Sequence, residues 1–197
     1  GHDIEDVAAK AKICNEVGIY VGAFIPSHVG FRPPMYEGLP SVESHRKMPL
    51  DIAIEELKAC GVNGVYFGDA YASCLEIETL VAHTCDELLL KLNIVPGASD
   101  IDFLFEKSFV VRPDLNSYIL RMTSLRGKSE IPAFNCVNRK LYDVTIDNSN
   151  FKRYAGEINI VLQDLPNDER VNVIGKLDTT NVIIDKIKKG IRFKFIK

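Results

Sequence analysis

No apolar run in the 197 residues approaches the roughly 20 needed to span a bilayer, so no membrane partner is expected. The N-terminus also lacks the charged-then-apolar layout of a signal peptide, which leaves the cytoplasm as the expected location. There is no long basic run: 24 Lys and Arg stand against 27 Asp and Glu, for a formal charge of −3. Nothing here offers nucleic acid an electrostatic footprint. The five cysteines, Cys14, Cys60, Cys74, Cys85 and Cys136, are odd in number and include no Cys-x-x-Cys pair. They read as reduced, mainly buried thiols. His and Cys are not paired at ligand spacing either, so neither a metal nor a cofactor is expected. Repeats and low-complexity tracts are absent. What is present is a globular composition, 46% apolar and 26% charged, long enough for one large or two small domains. Gly1-His2, with no Met, reads as a tag scar or an internal cut.

The densest signals lie in residues 143–160. Val144, Thr145 and Ile146 form a β-prone run, and Asp147-Asn148-Ser149-Asn150 supplies side chains that bond their own backbone and reverse the chain. Alternation through Glu157, Ile158, Asn159 and Ile160 predicts a returning half-buried strand. A hairpin-like return then holds Arg153 and Tyr154 near its tip.

Upstream, residues 3–17 read as a helix that Asp3 can cap and Gly18 stops. Residues 19–25 are apolar on both faces, as in a parallel strand covered by helices, and Pro26 ends them. A long loop rich in proline follows over 27–49, of the kind that is usually functional. A helix over 50–60, a second buried strand over 64–68 that delivers Asp69, and a helix over 72–83 complete an α/β order with a parallel sheet. Near residue 86 the character changes. Strands are expected at 87–95, 109–111, 118–123, 171–177 and 192–196, with a capping box Ser99-x-x-Asp102 opening one short helix and another helix over 181–189. Together with the hairpin they suggest a closed or nearly closed β-barrel. Two strand-helix units leave a parallel sheet with unpaired ladder groups. The first part therefore reads as the tail of a (β/α)8 barrel, about 250 residues when whole, with a swapped or oligomeric arrangement as the alternative.

Several motifs together resemble one family. They are Ala-Phe-Ile-Pro (23–26), Tyr-Glu-Gly-Leu-Pro-Ser-Val-Glu-Ser-His-Arg (36–46), Gly68-Asp69, Ile-Pro-Ala-Phe-Asn (131–135), Asp-Val-Thr-Ile-Asp-Asn (143–148), Arg153-Tyr154-x-Gly156-Glu157 and the segment 164–175. The chain resembles the second half of the MupG family of 6-phospho-N-acetylmuramidases, once described as a domain of unknown function and often labelled "outer surface protein". That resemblance implies α/β plus β architecture: the C-terminal part of a TIM-like (β/α)8 barrel over residues 1–85, its last βα units, followed by a cyclophilin-like β-barrel domain over 86–197. It implies a bacterial cytosolic glycosidase that hydrolyses a 6-phosphorylated MurNAc-GlcNAc disaccharide in peptidoglycan recycling. The partner is then a small phosphorylated amino sugar, and an oligomer is possible. A non-catalytic phosphosugar-binding or interaction module is the other reading.

Glycoside hydrolysis normally uses two carboxyl groups. Asp69 follows an expected strand and Glu43 lies in the long loop after another, so both belong at the face where barrel active sites form. Structural alternatives stand beside them: Asp69 caps the helix beginning near Ala72, and Glu43 pairs with Arg46. His45 and Arg46 are candidates for contacting the sugar. For a dianionic phosphate, Arg126, Arg139 and Arg153 are candidates, with Tyr154 available to stack on a sugar ring. The alternative for these arginines is solvated ion pairing with acids such as Asp143, Asp147 and Glu157.

Overall fold

A computed structural model of the chain describes residues 1–113, 116–122 and 130–197. It divides into two compact units, Gly1–Leu88 and Leu89–Lys197.

In the first unit, α1 (Ile4–Glu16) buries Val7 and Ala11 at helical spacing. Strands β1 (Gly22–Ile25) and β2 (Gly64–Phe67) pair in parallel, Gly22 opposite Gly64 through Ile25 opposite Phe67. Between them α2 (Leu50–Ala59) contributes Leu50, Ala53, Ile54 and Leu57 to a core completed by Val7, Ala23, Ile25, Val42 and Val62. This helix stops at Gly61, whose positive φ of 87° suits glycine. There the Gly61 N–H donates to the Lys58 carbonyl at 2.9 Å and the Val62 N–H to the Leu57 carbonyl at 3.1 Å, satisfying two end carbonyls. A true capping box opens α3 (Cys74–Ala82): Ser73 and Glu76 each accept a backbone N–H from the other. On α2 the adjacent Glu55 and Glu56 are both buried. Each has a histidine partner, Glu55 with His83 Nδ1 at 2.6 Å and Glu56 with His45 Nε2 at 2.8 Å, which offsets the cost of desolvating them.

The second unit is one curled, mixed sheet of half-barrel form. Its strands are β3 (Leu88–Ile94), β4 (Ser108–Phe109), β5 (Ile119–Arg121), β6 (Asp143–Asp147), β7 (Ile158–Val161), β8 (Val171–Asp178) and β9 (Phe193–Ile196), in the order β4-β9-β3-β8-β6-β7-β5. The expected hairpin is the antiparallel β6–β7 pair, with a 3-10 segment Ser149–Tyr154 at its turn. Phe109, Phe193 and Phe195 stack at one end, with centroids 5.2 to 5.9 Å apart. Two short helices, α4 (Phe103–Glu106) and α5 (Asn181–Lys188), complete the unit.

Three expectations are corrected here. The chain does not form the C-terminal part of a TIM-like (β/α)8 barrel followed by a closed or nearly closed cyclophilin-like β-barrel; its second unit is a curled half-barrel. Among the described residues the parallel sheet has two strands, and helices do not cover both of its faces: Ala23 and Ile25 are buried while Phe24 and Tyr66 are about half exposed. The runs that read as doubly buried are short strands with one aromatic outer face. In the second unit the segments after β4 and β5 meet only through the isolated bridge Val111–Met122, so no ladder closes the sheet among the described residues. Second, the capping box expected at Ser99 is absent: α4 is preceded by Asp102 in a helical conformation with no side-chain cap, and Ser99 bonds Asp100 instead. Third, Cys74 and Cys85 are exposed, and only Cys60 is buried.

Candidate functional site

The loops that follow β1 and β2 come together at the carboxyl ends of the parallel pair. Gly68 N–H donates to the Ile25 carbonyl at 3.0 Å, and Gly30 bridges to Tyr71. Asp69 sits between the two loops. Its Oδ2 accepts the Ser27 N–H at 2.9 Å and the Leu39 N–H at 3.0 Å, while Oδ1 accepts the Arg32 N–H at 2.9 Å. Both carboxylate oxygens are therefore spent on ordering residues 27–39, a role neither of the sequence readings for Asp69 contained.

Glu76, in the first turn of α3, does similar work. It is buried and accepts the His28 N–H at 2.6 Å, the Ser27 hydroxyl at 3.1 Å and the Ser73 N–H at 2.8 Å. Burial pushes its carboxyl up, but these hydrogen bonds outweigh burial and hold it below the ordinary glutamate value. Sequence reasoning missed Glu76. The Ser73-x-x-Glu76 spacing was the available signal, since it is the capping-box pattern.

Glu43 opens the 3-10 segment Glu43–Lys47 and leaves its side chain half exposed. Arg46 grips it bidentately, Nε to Oε1 at 2.6 Å and Nη2 to Oε2 at 2.8 Å. That guanidinium, aided by the Gly1 amino group, holds the Glu43 carboxyl at about 2. The remaining Arg46 nitrogen, Nη1, donates to the Glu37 and Gly38 carbonyls, both at 2.8 Å. Arg46 and Asp69 thus bind the Gly38-Leu39 peptide from its two sides, one at the carbonyl and one at the following N–H. The structure brings Glu43, Arg46 and Asp69 into one assembly. His45 is not part of it. Its ring is fully buried against Glu56, and its Nδ1 has no hydrogen-bond partner among the described residues. The same loops carry three exposed aromatic rings, Phe31, Tyr36 and Tyr71.

The remaining candidates lie in the second unit. Arg153 donates to the Tyr154 hydroxyl at 2.8 Å and lies over its ring, 4.9 Å from the centroid. Tyr154 meets Phe151 edge-on. Arg139 is committed elsewhere, since Nε and Nη2 both donate to the Pro166 carbonyl. Arg126 lies outside the described residues. The acids read as solvated partners for these arginines are not solvated: Asp143, Asp147 and Glu157 are 7%, 6% and 4% exposed. Asp147 N–H donates to the Glu157 carbonyl at 2.9 Å, so the two carboxyls are cross-strand neighbours. Burial, and then the charges of Glu157 and Asp168, push Asp147 up to about 7. No metal-binding group of three or more His, Cys, Asp or Glu occurs among the described residues, nor any helix long and apolar enough to cross a membrane.

Two family models match this chain, described as 6-phospho-N-acetylmuramidase, N-terminal, over residues 1–82, and 6-phospho-N-acetylmuramidase, C-terminal, over residues 88–196. The chain belongs to the 6-phospho-N-acetylmuramidase family. The Asp69–Glu43 assembly lies in the muramidase N-terminal match and the Arg153–Tyr154 pair in the C-terminal match. Among solved structures, an uncharacterized B. cereus protein superposes with a TM-score of 0.92 at 29% identity, over 100% of this chain and 59% of its own. A conserved protein of unknown function from a locus in Enterococcus faecalis gives 0.67 at 30% identity, over 100% of this chain and 55% of its own. The muramidase-family chain therefore spans less than two thirds of either relative. No curated protein matches it.

Proposed function

We propose that this chain takes part in hydrolysing the glycosidic bond of a 6-phosphorylated MurNAc-GlcNAc disaccharide in the bacterial cytoplasm, within peptidoglycan recycling. The match of both of its regions to the 6-phospho-N-acetylmuramidase family carries the reading. Its own residues support particular roles. Glu43, held at about 2, stays ionised near neutral pH and cannot deliver a proton. Its part is anionic, as base, nucleophile or stabiliser of the oxocarbenium-like transition state. Asp69 serves as a positioning residue that fixes the loop carrying Glu37 to Leu39. Arg153, whose guanidinium is exposed beside Tyr154, takes the phosphate, with Tyr154 against the sugar ring.

The test is release of amino sugar from the phosphorylated disaccharide. Glu43→Gln is expected to lower turnover about a hundred-fold or more while leaving binding intact. Turnover at the unmodified rate in Glu43→Gln would remove Glu43 from the chemistry. One observation favours a second reading, a phosphosugar-binding module: the carboxylates of Glu43 and Asp69 are already occupied by Arg46 and by backbone amides. Sugar binding without any turnover would select it.

A further inference from the structure

The second unit contains a cavity of about 550 Å³, within the range of small-molecule sites. One wall is the turn after β3, residues 97–101, continued by Phe103 and Lys107. The facing wall is the strap of residues 130–134, and Ile146 and Ile174 contribute to the lining from β6 and β8. The strap belongs to no strand, yet its backbone is fixed at four points. Ile131 N–H donates to Ser149 Oγ at 2.8 Å, and the Ile131 carbonyl accepts Ser149 N–H at 2.9 Å. Phe134 N–H donates to Asn172 Oδ1 at 3.0 Å, and Asn172 Nδ2 returns a bond to the Pro132 carbonyl at 2.9 Å. Asn172 is itself buried and held by Asn148 Nδ2 at 2.8 Å. The opposite wall turns through Gly97 and Asp100, both at positive φ, and a Cβ at position 97 would come within 3.3 Å of the Phe134 ring. The two walls therefore close on one another at that end, and the cavity is preformed.

Its chemistry is two-sided. The interior is apolar, from Ile101, Phe103, Phe134, Ile146 and Ile174, while Lys107 and Glu130 line it from opposite walls. Both charged side chains are exposed, and neither makes an ion pair or side-chain hydrogen bond among the described residues. An ammonium and a carboxylate, neither with a partner among the described residues, beside an apolar interior complement a compact ligand that carries an anion, an amide N–H and methyl groups.

We propose that this cavity is a binding site for an N-acylated sugar acid, with Lys107 pairing to its carboxylate, Glu130 accepting from its amide and the apolar wall receiving its methyl groups. Resting on the function proposed above, Lys107 is a specificity-determining residue. It distinguishes N-acetylmuramic acid 6-phosphate from N-acetylglucosamine 6-phosphate, which differs by lacking the lactyl carboxylate.

Calorimetric titration of the whole chain with each sugar phosphate tests this, beside the disaccharide release assay. The unmodified chain is expected to bind N-acetylmuramic acid 6-phosphate about tenfold or more tighter than N-acetylglucosamine 6-phosphate. Lys107→Ala removes that preference without weakening the second sugar, and Lys107→Arg restores most of it; the position is exposed, so folding is retained and circular dichroism checks it. Equal affinity for the two sugars, no binding of either, or a preference that survives Lys107→Ala would each overturn the proposal. Loss of the turnover claim alone leaves the preference intact, whereas turnover without preference overturns the cavity assignment and spares the hydrolase.

Discussion

Asp147 offers the sharpest test of the electrostatics. Replacing it by Asn keeps the shape and the oxygen that faces the Asn159 amide at 3.5 Å, but removes the ability to ionise. Four charged groups act on this carboxyl besides its burial: Glu157 and Asp168 raise it, while Arg121 and Arg139 lower it, and the outcome is about 7 against an ordinary 3.8. A carboxyl raised on folding contributes no penalty below its unfolded value, because it is protonated in both states. Between about 4 and about 7 the unfolded chain ionises and the folded one does not, so stability falls as pH rises, levelling off above 7. The full difference is roughly 4 kcal/mol. Urea denaturation of the unmodified chain and of Asp147→Asn at intervals from pH 4 to pH 8 measures it. The variant is expected to match the unmodified chain near pH 4 and to exceed it increasingly towards pH 8, by a few kcal/mol. A stability difference that stays flat across that range would refute the reasoning.

Two further outcomes follow from local geometry. Asp69→Ala deprives three backbone amides of their acceptor, so limited proteolysis should cut faster within residues 27–39; an unchanged cleavage rate would show the loop is ordered by other contacts. Lys152 sits at φ 54° and ψ −117°, a region that glycine tolerates, so Lys152→Gly should raise stability by about 1 kcal/mol in thermal unfolding; a lower midpoint would contradict the assigned strain.

Elements with strong periodicity or sharp stops were legible in the sequence. α1, α2 and α5 lie where the spacing of apolar residues and the stops at Gly18, Gly61 and Gly190 place them. So does the β6–β7 hairpin, announced by its Asx-rich turn. How the strands assemble was not legible, because an apolar run such as residues 19–25 records hydrophobicity and not the number of neighbours it will have. The strand it yields, Gly22–Ile25, alternates between exposed and buried positions. At the candidate site, the proximity of Glu43 to Arg46 could be read from three-residue spacing. The work of Asp69 could not, since its partners are backbone amides 30 to 42 residues away and leave no side-chain signature. The burial of Asp147 and Glu157 was hidden for a related reason. Asp147 closes β6 beside an Asx-rich turn, and acids in such a setting resemble solvated ones until the sheet curls over them.

The grip of Asp69 also sets what this loop can tolerate over evolutionary time. All three donors are main-chain N–H groups, and each stands next to a proline: Ser27 follows Pro26, Arg32 precedes Pro33, and Leu39 precedes Pro40. Side chains at positions 32 and 39 can change without disturbing the clasp, whereas the Ser27 hydroxyl also donates to Glu76 and accepts the Val29 and Gly30 N–H groups. Proline is the exception, because it has no N–H to give. A one-residue slip of any of these prolines onto its neighbour would delete a donor, so the loop is free in its chemistry and strict in its register.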